Sequence, residues 1–217
     1  MTKGVPVFIN CRDRVSDLRR LVDWLERAGH ERIILLDNDS SYPPLLDYYE
    51  TTTHEVVYLG ANLGPRAVWE AELVPDELFV LTDPDVVPLD SCPTDAIDHL
   101  AALLERYPEW PKAGLGLYLE DVPSQIPNFA HEHDLVAEYR CLEPGVFGSF
   151  VDTTFALYRP GAEFDLVSLR TGAPYQARHM TWYVTDPDEE LQYYLSHALA
   201  GTEGSTWAAE RARMEAM

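Results

Sequence analysis

The sequence predicts one α/β domain, a Rossmann-like three-layer sandwich with a mostly parallel central sheet. Three observations carry that expectation. Apolar runs of strand length alternate with amphipathic stretches in a β-α-β pattern, which favours parallel pairing and helical layers over the sheet. Four of those runs end in polar loops, at Asn10/Arg12, Asp37/Asp39, Asn62/Gly64/Arg66 and Asp83/Asp85. The composition, 46% hydrophobic and 24% charged over 217 residues, suits one globular domain with a sizeable core.

In chain order, Val5–Cys11 reads as the first strand, with Asn10, Arg12, Asp13 and Arg14 at its polar edge. A helix follows: Ser16 is a suitable N-cap, Leu18, Leu21, Val22 and Leu25 form its apolar stripe, and Gly29 stops it. Glu31–Leu36 is the second strand and runs into Asp37-Asn38-Asp39-Ser40-Ser41. Pro43-Pro44 opens a short helix. Glu55–Leu59 is the third strand, leaving through Gly60–Arg66 into a helix over Ala67–Leu73. The right-handed crossover rule puts these polar exits on one rim.

The run Leu78–Pro88 holds the fourth strand, which ends in Asp83-Pro84-Asp85 at its C-terminal edge, with Pro84 stiffening the turn. Strand alternation sends residues two apart to the same side, so both carboxylates can face one hard divalent cation, Mg²⁺ or Mn²⁺. Taken alone, such a pair also serves as a turn former or helix cap. The formal charge of −21, with lysine only at positions 3 and 112, argues against nucleic acid as a partner. A nucleotide diphosphate would be repelled by that field unless a cation and local arginines inverted the potential. Cys11, Cys92 and Cys141 are odd in number and widely spaced, matching neither a disulfide framework nor a zinc knuckle. The absence of an apolar run of membrane-spanning length, and of a signal-peptide pattern, gives the expectation of a cytoplasmic protein.

The second half is less regular. Ile97, Leu100, Leu103, Leu104 and Tyr107 mark a helix after Pro93, and Ala113–Leu119 a strand leading to Glu120-Asp121. From Pro123 to Gly148 the periodicity fades, which reads as a long loop or lid. His131 and His133 within it read as surface residues. Phe150–Arg159 reads as a strand with Asp152 embedded in it; such a carboxylate is either paired or a general base whose pKa burial raises. Leu169–Tyr183 has no clean period and reads as a loop. In it, Arg170 and Arg178 suit a pyrophosphate, and His179 is either a histidine packed among aromatic side chains or a polar group for the site. Asp186-Pro187-Asp188-Glu189 reads as a capping box opening a last helix through Ala198.

Taken together, Asp37–Ser41, Asn62-Leu63-Gly64 and Asp83-Pro84-Asp85 resemble the nucleotide-sugar-dependent glycosyltransferases of the GT-A fold, especially the family 2-like enzymes. The motifs cover the first half of the chain in the family's order. The resemblance implies a GT-A-like domain over residues 1–217, with a nucleotide-binding half at 1–90 and an acceptor and lid half at 91–217. It implies transfer of a sugar from a nucleotide-diphosphate donor to a glycan, lipid-linked or small-molecule acceptor, in the inverting manner common in that family. In this reading Asp83, Asp85 and His179 hold Mn²⁺ or Mg²⁺. The donor meets Asn10, Arg12, Asp37, Asp39, Asn62, Gly64, Arg66, Asp83, Arg170 and Arg178. Asp152, and next Asp121, is the base. A nucleotidyltransferase, a non-catalytic nucleotide-sugar-binding partner subunit, and a homodimeric state stay open alternatives. The glycine-free Asn10–Arg14 loop counts against the nucleotidyltransferase.

Overall fold

The computed structural model describes residues 2–122, 140–152, 154–184 and 188–198. His131, His133, Asp186, Pro187 and the stretch 123–139 of the expected lid lie outside the described residues, as does the tail after Ala198.

The N-terminal half is a parallel β-α-β array. β1 (Val7–Cys11) lies between β2 (Ile33–Asp37) and β4 (Phe79–Thr82), with β3 (Glu55–Tyr58) outside β2. The registers Cys11↔Asp37, Asp37↔Tyr58 and Ile9↔Thr82 bring all four C-terminal ends to one rim. That shared rim is where an open α/β sheet forms its ligand crevice. Helices α1 (Ser16–Arg27), α2 (Pro43–Thr51) and α4 (Ala96–Arg106) bury Leu18, Leu21, Leu25, Leu45, Ile97 and Leu100 on one face of the sheet. The short α3 (Ala67–Glu70) brings Val68 to the other face, against Phe79 and Leu81.

The sheet continues past β4 with mixed direction, in the order β3-β2-β1-β4-β10-β6-β11-β9-β8. Here β6 is Lys112–Gly114, β8 is Arg140–Glu143, β9 is Val146–Phe150, β10 is Ala156–Tyr158 and β11 is Val167–Thr171. Only β9 and β10 run against the other strands of this sheet. A second, three-stranded sheet joins β5 (Val86–Pro88), β12 (Gln176–His179) and β7 (Gly116–Leu117). The last described helix, α5, is Glu189–Ala198. No described helix is long and apolar enough to cross a membrane.

Several sequence-predicted boundaries change, each for a physical reason. The fourth strand ends before Asp83 as expected, but Val86–Pro88 after it is a further strand, and Ala113–Leu119 is two strands rather than one, because the chain leaves the large sheet for the small one at Asp83-Pro84-Asp85 and at Leu115. At the second corner only glycine fits: a Cβ on Gly116 would lie 2.0 Å from the Thr171 carbonyl oxygen. Phe150–Arg159 is likewise broken, and residues 140–150 form an edge hairpin rather than a loop. Leu169–Tyr183 holds β11, β12 and a 3-10 turn over Met180–Tyr183. Helix α3 ends three residues before the predicted Leu73. Ser16 is the first residue of α1, and Val15 before it has no side-chain cap of its own.

Candidate functional site

The rim is assembled by side chains that satisfy backbone groups across loops. Asp13, fully buried and left-handed at φ 49, accepts the N–H groups of Ser41 (2.6 Å) and Tyr42 (2.8 Å), tying the β1 exit to the β2 exit. The Gly64 carbonyl accepts the amides of Asn10 (3.2 Å) and Asn38 (3.0 Å), while Asn38 Oδ1 accepts the Leu63 N–H and Asn62 Oδ1 the Gly64 N–H. Gly64 takes φ +72, a conformation that suits glycine. Asn10, Asn62 and Gly64 therefore form one unit, with Asn38 as a fourth member that motif reasoning does not single out.

Asp37 is buried, and its Oδ1 accepts the Ser40 N–H at 3.2 Å. Burial pushes this carboxyl up from its ordinary range. Its geometry is that of a capped turn. Asp39, exposed at φ 63, sits 3.9 Å from Arg12, whose Nη1 also donates to the Asn38 carbonyl. Arg66 is exposed and lies 4.3 Å over the Phe164 ring.

Asp83-Pro84-Asp85 forms the corner between the two sheets. The Asp83 carbonyl accepts the Val86 N–H at 3.3 Å, a β-turn with proline at its favoured second position. Asp83 is half-buried and Asp85 buried. β12 pairs with β5 so that His179 stands opposite Val86, and the Met180 N–H donates to the Asp85 carbonyl at 2.7 Å. The Asp85 side chain accepts the Thr181 hydroxyl at Oδ2, and the same oxygen is 3.5 Å from His179 Nδ1. His179 is stacked on Trp182 at 4.8 Å. Burial raises the Asp85 carboxyl, but His179, Arg14 and Thr181 together outweigh it and hold the group below the usual range.

Behind Asp85 lies a buried ionic group. Arg14 donates to Glu190 Oε1 (3.2 Å), Thr181 Oγ1 (3.1 Å) and Asp17 Oδ2 (3.0 Å). Glu190, at the start of α5, also accepts the Val15 and Ser16 N–H groups and the Ser16 hydroxyl. The N-terminus of α1, which the sequence assigns to a Ser16 cap, is thus capped by a carboxylate 174 residues away. Just ahead of α5, the Asp188 carboxylate accepts the Leu191 N–H at 2.8 Å.

The other predicted residues meet other partners. Arg178, one residue before His179, faces the opposite side of β12 and pairs with Asp121, lying 5.3 Å and 5.4 Å from the Tyr118 and Tyr183 rings. Tyr183 also donates to Asp121 at 2.8 Å. Although partial burial raises it, Asp121 is held below the usual carboxylate range by Arg178 and Tyr183. Arg170 is buried in β11, in line with Gly114, Ala156 and Leu81 through successive pairings. Three strand spacings, about 14 Å, separate it from β4. Asp152 is exposed, in the connection from β9 to β10, and its carbonyl accepts Lys112 Nζ at 3.2 Å. The expectation of a carboxylate embedded in a strand is corrected here, because Val151 turns inward while Asp152 beside it is exposed and outside any strand.

Among the described residues no three His, Cys, Asp or Glu side chains converge as a ready-made metal cage. The Asp85–His179 pair nonetheless fits a hard divalent ion. His179 Nδ1 is buried and has no hydrogen-bond partner among the described residues, and it faces a carboxylate oxygen. A site with few protein ligands, completed by phosphate and water, is how Mg²⁺-type ions usually bind. A separate cavity of about 320 Å³ lies between α1 and the small sheet, lined by Arg20, Arg27, Trp24, Asp90, Arg178 and Met180 among others.

The sequence matches no protein-family model and no curated protein. Among solved structures, an apo UDP-glucose pyrophosphorylase aligns with a TM-score of 0.50 at 12% identity, covering 90% of this chain and 100% of the other. A glucosyl-3-phosphoglycerate synthase from Mycobacterium tuberculosis, in complex with Mn²⁺ and UDP-glucose, aligns with a TM-score of 0.45 at 11% identity over 72% of this chain. This chain spans just over half, 56%, of that synthase. A CMP:2-keto-3-deoxy-manno-octonic acid synthetase complexed with CTP aligns with a TM-score of 0.40 at 11% identity, over 90% of this chain and 83% of its own. At such identities the likeness is one of fold: this chain has the GT-A-like, Rossmann-like α/β architecture that it shares with the pyrophosphorylase.

Proposed function

We propose that the chain is a metal-dependent glycosyltransferase using a nucleotide-diphosphate sugar. The observation that carries this reading is the corner at Asp83-Pro84-Asp85, standing on the rim where β1, β2 and β4 end and holding Asp85 3.5 Å from His179 Nδ1, a buried nitrogen with no hydrogen-bond partner among the described residues. Asp83, Asp85 and His179 would hold Mn²⁺ or Mg²⁺, which neutralises the donor diphosphate when bound. Arg12, Asp39 and Arg66 would meet the nucleotide along the rim, on loops held in place by Asp13, Asn10, Asn38 and Asn62. The acceptor oxygen would form a bond to the sugar's anomeric carbon as the carbon–phosphate-oxygen bond breaks, the electron pair leaving with the nucleoside diphosphate. Exposed Asp152 is the proposed proton acceptor in an inverting reaction, ahead of Asp121, whose carboxylate is already engaged by Arg178. Arg170 and Arg178 are weaker donor ligands in this scheme, the first by distance and the second by its pairing.

The likeness to a pyrophosphorylase gives a nucleotidyltransferase as the second reading. Calorimetric titration of UDP- and GDP-sugars with Mn²⁺, with and without EDTA, tests the first. We expect binding that EDTA abolishes; no binding of any sugar nucleotide would reject both enzyme readings, and binding unchanged by EDTA would reject the metal role. Pyrophosphate release from UTP and a sugar 1-phosphate would select the nucleotidyltransferase.

A further inference from the structure

Four buried side chains run in one line from α5 to the acidic corner. Glu190 is held by Arg14, Arg14 by Thr181, and Thr181 by Asp85. All four are less than 9% exposed. The hydrogen-bond roles along this line are forced. A guanidinium has only donors, and an ionised carboxylate only accepts. A hydroxyl has one hydrogen, so when Thr181 Oγ1 accepts from Arg14 at 3.1 Å its own hydrogen is left for Asp85 Oδ2. That oxygen is the one standing 3.5 Å from His179 Nδ1.

Arg14 is itself held on several sides, by Asp17 at 3.0 Å, by Glu190 at 3.2 Å and by the Tyr194 ring at 5.9 Å. Glu190 anchors α5 through the same carboxylate, by accepting the first N–H groups of α1. Stability alone does not call for this arrangement, since apolar side chains of similar volume commonly replace buried ion pairs without loss. What the line achieves is orientation: it selects one carboxylate oxygen and one rotamer of Asp85.

We propose that Thr181 and Arg14 are positioning residues that aim Asp85 Oδ2 at the cation, and that Glu190 makes this aim conditional on α5 being docked. The inference rests on the metal role given to Asp85 above. It carries a reciprocal consequence: a cation bound with nucleotide at Asp85 tightens the docking of α5, since coupling between two sites acts in both directions.

The test measures Mn²⁺ affinity in the presence of UDP, from the signal of free Mn²⁺ in electron paramagnetic resonance, alongside thermal melting of each variant. Thr181→Val keeps the shape and removes the hydroxyl; Thr181→Ser keeps the hydroxyl. We expect Thr181→Val to bind Mn²⁺ about ten-fold more weakly, and Thr181→Ser to bind like wild type, as partners that orient a metal ligand usually behave. Glu190→Gln is the second arm, with a smaller loss, and it reads the α5 link even if the valine variant does not fold. Wild-type affinity in Thr181→Val, or in Glu190→Gln, while Asp85→Ala abolishes binding, overturns the positioning inference and leaves the site reading standing. Wild-type affinity in Asp85→Ala removes the site and the inference together.

Discussion

Arg178 and His179 are neighbours on β12, yet alternation along the strand sends them into opposite surroundings. Arg178 meets Asp121 at the surface, between two tyrosines, while His179 meets Asp85 in the interior, where Arg14, Asp17 and Glu190 complete an ionic group out of water. The chemistry on the two sides is the same, an arginine with carboxylates. The difference teaches that burial decides what such a group does. In water the partners of a surface pair are easily replaced by solvent, so the pair contributes little. Out of water each member depends on the others, because a single charge left behind is costly.

The largest expected effect comes from breaking the buried side. Arg14→Met leaves Asp17, Asp85 and Glu190 without their shared cation, and urea unfolding should show a loss of about 3–5 kcal/mol. Glu190→Gln keeps the volume of the side chain and some of its acceptors but gives up the charge that faces four donors, on Arg14, Val15 and Ser16. A loss of about 1.5–3 kcal/mol is expected in the same measurement, most of it from the start of α1. Arg178→Ala is the contrasting case. It should cost under about 1 kcal/mol, and that cost should shrink further in 1 M salt, where charges are screened beyond about 3 Å. Equal losses for Arg14→Met and Arg178→Ala would erase the distinction between the two sides.

Much of the N-terminal half was legible in the sequence, because each strand there is a continuous apolar run and each helix has a stripe and a stop. Val7–Cys11 and Glu55–Tyr58 fall inside their predicted runs, and Ile33–Asp37 runs one residue past its predicted end at Leu36. The polar exits are grouped on one rim, as parallel pairing requires. The losses came where one run serves two sheets. In Leu78–Pro88 the turn at Pro84 was legible, but nothing in the run shows that Val86–Pro88 after it joins a second sheet. β11 and β12 were hidden because their partners, β9 and the small sheet, are set by tertiary contacts rather than by period.

The candidate site divides along the same line. Asp83, Asp85 and His179 were accessible to motif reasoning. Thr181, Asn38 and Glu190 were not, since their importance lies in hydrogen bonds to residues 96, 26 and 176 positions away. A buried glutamate in the first turn of an otherwise ordinary helix looks in sequence like a favourable helix start. The one clue was Arg14, a second arginine close to the end of a buried strand, which needed anionic company from somewhere.

The place of β10 in the sheet bears on how the chain is made. Residues 156–158 form the strand between β4 and β6, so the two halves of the large sheet are joined through a segment synthesised after both of the strands it links. Until those residues leave the ribosome, β4 presents an unpaired edge of four buried positions, Phe79 to Thr82. Exposed edges of that kind recruit other strands, and late, long-range insertion slows folding. Newly made chains stalled before Tyr158 are therefore expected to be clients of chaperones, and the finished sheet to depend on one short hairpin-free strand arriving on time.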